Sequence, residues 1–117
     1  MISATQSALS ALQAYSTKIE ANSNNVANRA TEGYKRTRVT LSENQQGGVR
    51  TNIQKTDTPG PTIYDQTATG LERIELSNVD LGREFPEMMM NTHFFKANLK
   101  TLQTADVLFG NILDLKA

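Results

Sequence analysis

Large aliphatic side chains open the chain at Ile2, Leu9, Leu12, Ile19 and Val26, and Thr5, Ser16 and Ser23 complete the same heptad series. The positions between them are small or polar, with Lys18 and Glu20 the only charged side chains before residue 29. This pattern predicts an amphipathic helix, either packed on its own domain or serving as one strand of a coiled coil. Polar seam positions such as Ser16 and Ser23 weaken a coiled coil while helping to fix its register. Asn22, Ser23, Asn24 and Asn25 compete for backbone hydrogen bonds, so the helix is expected to fray or end near Asn28. Gly33 supplies a turn beyond it, and Asn28 or Gly33 is the place for a left-handed backbone.

The pattern then changes period. Val39 and Leu41 alternate with polar neighbours, Val49, Thr51 and Ile53 do the same, and Gly47-Gly48 lies between the two runs. That combination predicts an irregular β-hairpin. Thr58-Pro59-Gly60-Pro61 marks a sharp turn, Ile63 and Tyr64 suggest another short strand, and Leu71, Ile74 and Leu76 one more.

From Leu81 onward the helical period returns. Leu81, Phe85, Met88, Thr92, Phe95, Leu99, Leu102, Asp106, Phe109 and Leu113 alternate spacings of four and three without a break. Asp80 stands where an N-cap satisfies the first free N–H groups. A helix from Leu81 to Leu115 spans about 52 Å, more than a chain of this size can cover, so it wants a second helix beside it. Pro86 is discordant: either the helix begins near it, or its first turns are bent. The expected fold is mainly α, with long N- and C-terminal helices pairing as a coiled coil around a small β-hairpin or extended region. Its three zones are residues 1–33, 34–76 and 77–117.

Composition narrows the function. The 117 residues suffice for one domain, and only 38% are hydrophobic, many of them alanine, so a large core is not expected. Lysine plus arginine and aspartate plus glutamate number 12 each, leaving no overall field for nucleic acid or an anionic membrane. Cysteine is absent, which removes disulfides, thiolate nucleophiles and most zinc sites. No run approaches the length of a membrane span, and Met1 to Ser7 lacks the basic and apolar regions of a cleaved secretory leader.

No catalytic constellation emerges. His93 is the single histidine, which excludes a multi-histidine metal site within one chain. Glu84 and Glu87 read as a solvated helix face. Arg29, Lys35, Arg36 and Arg38 around Tyr34 form a modest basic cluster, expected to pair with acidic groups of a neighbouring subunit or to stay solvated. No Gly-Lys-Ser or Gly-Lys-Thr phosphate loop is present, and Met88-Met89-Met90 is adaptable packing material. The chain is therefore expected to be no enzyme, with no cofactor, no metal, no nucleic acid and no small-molecule substrate.

Two segments carry a resemblance. Asn24-Asn25-Val26-Ala27-Asn28, continued by Arg29-Ala30-Thr31-Glu32-Gly33-Tyr34-Lys35-Arg36, resembles the N-terminal signature of flagellar axial proteins. Ser77-Asn78-Val79-Asp80-Leu81, then Phe95-Lys96-Ala97-Asn98, Thr104-Ala105-Asp106 and Ile112-Leu113-Asp114-Leu115-Lys116, resembles the C-terminal signature of the same rod and hook family. Ala30, Glu32 and His93 depart from its usual asparagine, proline and arginine. The short middle is similar to a small proximal-rod subunit, because hook and distal-rod members carry large insertions. The resemblance implies a structural subunit that passes unfolded through the type III export channel, without a cleaved leader. It implies packing with itself and other rod subunits in the periplasmic basal body. It points to Leu9, Leu12, Ile19, Val26, Phe95, Leu99, Leu102, Phe109 and Leu113 as packing residues. Asn25, Asn28, Gly33, Tyr34, Asn78 and Asp80 would shape the two junctions. A self-contained helical adaptor or export chaperone is the alternative.

Overall fold

The computed structural model describes residues 2–117; the side chain of Ile2 lies outside that description, so this member of the predicted seam has no placement. The order is α1 (Ile2–Ala27), β1 (Thr37–Glu43), β2 (Val49–Lys55), β3 (Thr62–Thr67), β4 (Gly70–Glu75) and α2 (Leu81–Lys116). The two helices lie side by side and antiparallel: Asn25 meets Glu84, Tyr15 stacks on Phe94 with centroids 5.4 Å apart, and Ala4 shares a groove with Ala105 and Leu108. The molecule is a rod of 81 × 25 × 20 Å.

The asparagine run does not fray α1. Asn22 and Asn25 turn their amides away from the local backbone toward distant partners, so the competition that normally weakens a helix is removed. The helix closes where its own carbonyls are taken up: Asn28 N–H donates to Asn24 O at 3.1 Å and Arg29 N–H to Val26 O at 3.3 Å. Gly33 then takes the left-handed conformation at φ 65° and donates its N–H to Glu75 O at 2.8 Å, whereas Asn28 keeps a negative φ.

The first hairpin pairs β1 with β2 in antiparallel register, Val39 opposite Ile53 and Leu41 opposite Thr51. Its turn uses Gly47 and Gly48, both at φ 89°. Gly48 has a second reason to be glycine. A Cβ there would sit 2.4 Å from Ser10 Oγ, so only its absence lets the hairpin approach α1 closely. Ser10 Oγ in turn accepts from Val49 N–H at 3.1 Å. The hairpin covers the α1 face carrying Ala14 and Ala21, where small side chains permit the contact.

The second hairpin pairs β3 with β4, Ile63 opposite Ile74 and Tyr64 opposite Arg73. Among the described residues it packs on no other element and projects from the body. Its base is held by Leu76 N–H to Pro61 O at 2.7 Å and by a Lys35–Glu75 ion pair. Gly60 crosses so near Leu76 that a Cβ would lie 2.0 Å from its carbonyl oxygen.

Helix α2 starts at Leu81, where Asp80 Oδ1 accepts from Gly82 N–H at 3.0 Å. Pro86 lies in its second turn and is exposed, so its missing N–H deprives only the carbonyl of the exposed Gly82 of a helical donor. The buried apolar side chains among the described residues are Ala8, Ala14, Ala21 and Val39. This is a very small core, as the composition suggested.

Candidate assembly interface

The tightest part of the molecule is polar. Glu84, only 2% exposed, accepts at Oε2 from Asn22 Nδ2 at 2.7 Å and from Asn25 Nδ2 at 3.2 Å, while Arg36 Nη1 stands 3.8 Å from its Oε1. Asn91 Nδ2 donates to Asn22 Oδ1 at 2.8 Å, which extends the network along α2. Asn25 also imitates a strand neighbour. Its Oδ1 accepts from Thr37 N–H and its Nδ2 donates to Thr37 O, both at 2.8 Å, so β1 leaves the turn tied to α1. Tyr34 OH donates to the same Oδ1 at 3.1 Å, and Lys55 Nζ lies 5.0 Å from the Tyr34 ring centroid. A buried charge survives only when paired and fully hydrogen-bonded, and no buried side-chain polar atom among the described residues lacks a partner.

Two expectations are corrected here. Glu84 is not on a solvated face; it is buried on the side of α2 that meets Asn22 and Asn25 of α1. Lys35 and Arg36 do not wait for a neighbouring subunit, because Glu75 and Glu84 of the same chain pair with them. The Lys35 ammonium, with help from Gly60 N–H, holds the exposed Glu75 carboxyl below the usual carboxylate range.

Asn78 organises the other junction. Its Oδ1 accepts from Arg36 N–H at 2.7 Å, and its Nδ2 donates to Thr56 O at 2.8 Å and Thr58 O at 2.9 Å. One side chain thus joins three chain segments just ahead of the Asp80 cap. Asn28 acts locally: its Nδ2 donates to Asn24 O at 2.9 Å and its Oδ1 accepts from Thr31 Oγ1 at 3.1 Å. Asn25, Tyr34, Asn78 and Asp80 are thereby gathered around the two junctions, with Gly33 beside them.

The helical packing residues divide. Leu12, Ile19 and Val26 on α1, and Phe95 and Leu102 on α2, are half-buried along the shared face. Leu9 is exposed, as are Leu99, Phe109 and Leu113. The remaining inward positions are Ala8, Tyr15 and Asn22 on α1 and Glu84, Asn91, Asn98 and Ala105 on α2. Each precedes by one residue a position of the predicted seam: 9, 16 and 23 on α1, and 85, 92, 99 and 106 on α2. Half of each seam is therefore displaced: Ala8, Glu84 and Asn98 stand inward where the predicted seam held Leu9, Phe85 and Leu99, while Tyr15 stands inward in place of Ser16. What reveals this in sequence is a polar residue at heptad spacing from apolar ones, as in Leu81-Glu84-Met88-Asn91-Phe95.

The outer surface carries the apolar surplus. Phe85, Met89, Met90 and Phe94 are exposed along α2, and from residue 106 onward every side chain is exposed. In that last stretch Val107, Leu108, Phe109, Ile112, Leu113 and Leu115 cover most of the helix surface, with Asp106, Gly110 and Asp114 along the remaining strip. An exposed apolar surface that wide marks a contact with something else.

The geometry is that of paired terminal helices with exposed packing surface, and comparison with known proteins matches both ends. Residues 6–35 match the model of the flagella basal body rod protein family, and residues 72–115 match that of the flagellar basal body rod FlgEFG protein C-terminal family. Both terminal segments of the chain thus match flagellar basal body rod families. A relative is the flagellar hook protein FlgE of Treponema pallidum (strain Nichols), 42% identical over 43 residues. That stretch is 37% of this chain and 9% of the hook protein, so the chain spans a small part of that relative's length. The matched family segments contain most of the polar network, with Arg36 and Thr37 just beyond the first. Asn22, Asn25 and Tyr34 lie in the first, and Asn78, Asp80, Glu84 and Asn91 in the second. The free hairpin falls largely between them.

Proposed function

We propose that the chain is a structural subunit of the flagellar basal-body rod, nearest a proximal rod subunit, and that it works by polymerising. It is exported through the flagellar type III channel and packs in the periplasm with itself and other rod subunits. Within each subunit α1 and α2 pair as a short antiparallel coiled coil through Leu12, Ile19, Val26, Phe95 and Leu102. Leu9, Leu99, Phe109 and Leu113 contact neighbouring subunits. Asn25, Asn28, Gly33, Tyr34, Asn78 and Asp80 hold the junctions in the shape that this packing needs.

The observation that carries the reading is the last part of α2, where six large apolar side chains are all exposed. Surface of that kind on a lone subunit marks a contact with something else. Contacts whose rotation does not close generate helical assemblies. An adaptor or chaperone closed into its own bundle would bury these side chains, and the exposed tail weighs against it.

The test replaces Val107 and Ile112 together with aspartate, both exposed and both outside the polar network. Sedimentation of the purified chain over a concentration series is expected to show growing mass for the wild type. The double variant is expected to stay monomeric with unchanged far-ultraviolet circular dichroism. Equal mass in both proteins at every concentration would remove the support for assembly through this helix.

A further inference from the structure

The predicted seam and the observed one differ by a rotation, and the buried polar side chains sit on the side toward which the helices have turned. Packing the stripe of Leu9, Leu12, Ile19 and Val26 against Phe85, Leu99 and Leu102 would bury larger apolar side chains. The observed rotation instead brings inward Asn22, Glu84 and Asn91, at 5%, 2% and 3% exposure. Apolar burial by itself favours the first arrangement. Something must outweigh it, and beside the Tyr15–Phe94 stack the network supplies a chain of hydrogen bonds between the two helices.

We infer that Asn22, Glu84 and Asn91 form a rotational key. Their hydrogen bonds fix the angle and register at which α1 and α2 meet, and in doing so hold Leu9, Phe85 and Leu99 on the outside. The physical basis is the asymmetry of buried polar groups. Satisfied, they add modestly to stability; unsatisfied, each carries the full cost of its lost hydration. Turning one helix to the apolar stripe breaks these bonds and leaves the polar partners on the other helix buried without them. A single polar residue in a helix seam is known to select register at a cost in stability. Here three such residues belong to one chain of bonds, and Asn25 and Arg36 anchor that chain to the turn and to β1. These are positioning residues. That the stripe they keep outside serves assembly rests on the function proposed above; the key itself does not.

The chain has no cysteine, so single engineered thiols report local exposure cleanly. Ala105→Cys and Thr92→Cys, both at half-buried positions flanking the helix contact, are each placed in the wild type and in the N22A/E84A/N91A variant. Alanine removes the bonds without adding apolar bulk to the present seam. Thiol alkylation of the dilute monomer is the readout. If the key sets the rotation, its removal lets α2 turn toward Phe85 and Leu99. The thiol at position 105 is then alkylated faster and the thiol at position 92 slower, each by about tenfold as local protection shifts. Unchanged rates would overturn the inference by showing that rotation is set elsewhere. Faster alkylation at both sites would overturn it too, since a loosened pair means that the network supplied stability alone. Asn91→Ala alone leaves Glu84 bonded to Asn22, Asn25 and Arg36 and so keeps the fold. It is expected to move the two rates in the same opposite senses, by less. Alkylation reads the key on the monomer, while sedimentation reads assembly, so either idea can fail without the other.

Discussion

At the level of single residues the decisive side chains are asparagines, and their value lies in an amide that donates and accepts at once. Asn25 uses both ends: it pairs with both backbone groups of Thr37, accepts from Tyr34 and donates to Glu84, at 1% exposure. Replacing Asn25 with alanine orphans several groups together. Since each costs about 1–3 kcal/mol, the expected loss is roughly 2–4 kcal/mol, read as a lowered urea midpoint with an unchanged slope. Asn25→Asp is expected to be worse, because it removes the donor to Thr37 O and sets a second carboxyl against Glu84. A loss below about 1 kcal/mol for both would show that water replaces these bonds freely. Much of this chemistry was hidden in the sequence. An asparagine run reads as a helix breaker, and only partners 59 and 62 residues away turn it into a helix-to-helix clamp. Asp80 and Gly33 were legible because a cap and a left-handed turn are decided by a few adjacent residues.

Among the elements, the two hairpins are a controlled contrast. Hairpin β1–β2 lies against α1, whereas β3–β4 packs on no other element among the described residues, and an isolated two-stranded hairpin is marginal in water. The register adds a further cost, because Asp65 stands directly opposite Glu72 and like charges so placed repel. Changing Glu72 to lysine is expected to stabilise this hairpin by about 0.2–1 kcal/mol. Slower amide exchange in β3 and β4, with none of the change reaching β1 and β2, is the measurement. Exchange in wild-type β3–β4 as slow as in β1–β2 would contradict the picture of an unsupported hairpin. The first hairpin, the two later strands and the end of α1 were legible, since Gly47-Gly48, the Pro59-Gly60-Pro61 turn and the change of period are local signals; the pairing of β3 with β4, and a start of α2 at Leu81 rather than near Pro86, were not. The helix faces were only half legible. Leu12, Ile19, Phe95 and Leu102 fall where apolar spacing puts them, but the other half of each face is held by polar bonds that hydrophobic periodicity does not count.

For the molecule as a whole, the balance of surface and core points outward. A rod 81 Å long whose buried apolar side chains, among the described residues, are three alanines and a valine keeps most of its large hydrophobic groups in water. The formal net charge is zero, so no long-range repulsion keeps copies apart and no strong field steers them together. Assembly driven by the end of α2 should then carry the marks of apolar burial. It is expected to strengthen on warming from near 0 °C to room temperature, because hydrophobic association weakens in the cold. It should also persist as salt is raised, since screening acts on exposed charges beyond a Debye length and leaves apolar contacts intact. Light scattering of one sample, taken through a temperature cycle at low and at high ionic strength, separates the alternatives. Mass that collapses with salt would transfer the driving force to charged pairs. Mass that grows on cooling would transfer it to hydrogen bonding. In either case the exposed apolar helix would lose its place as the main contact between subunits.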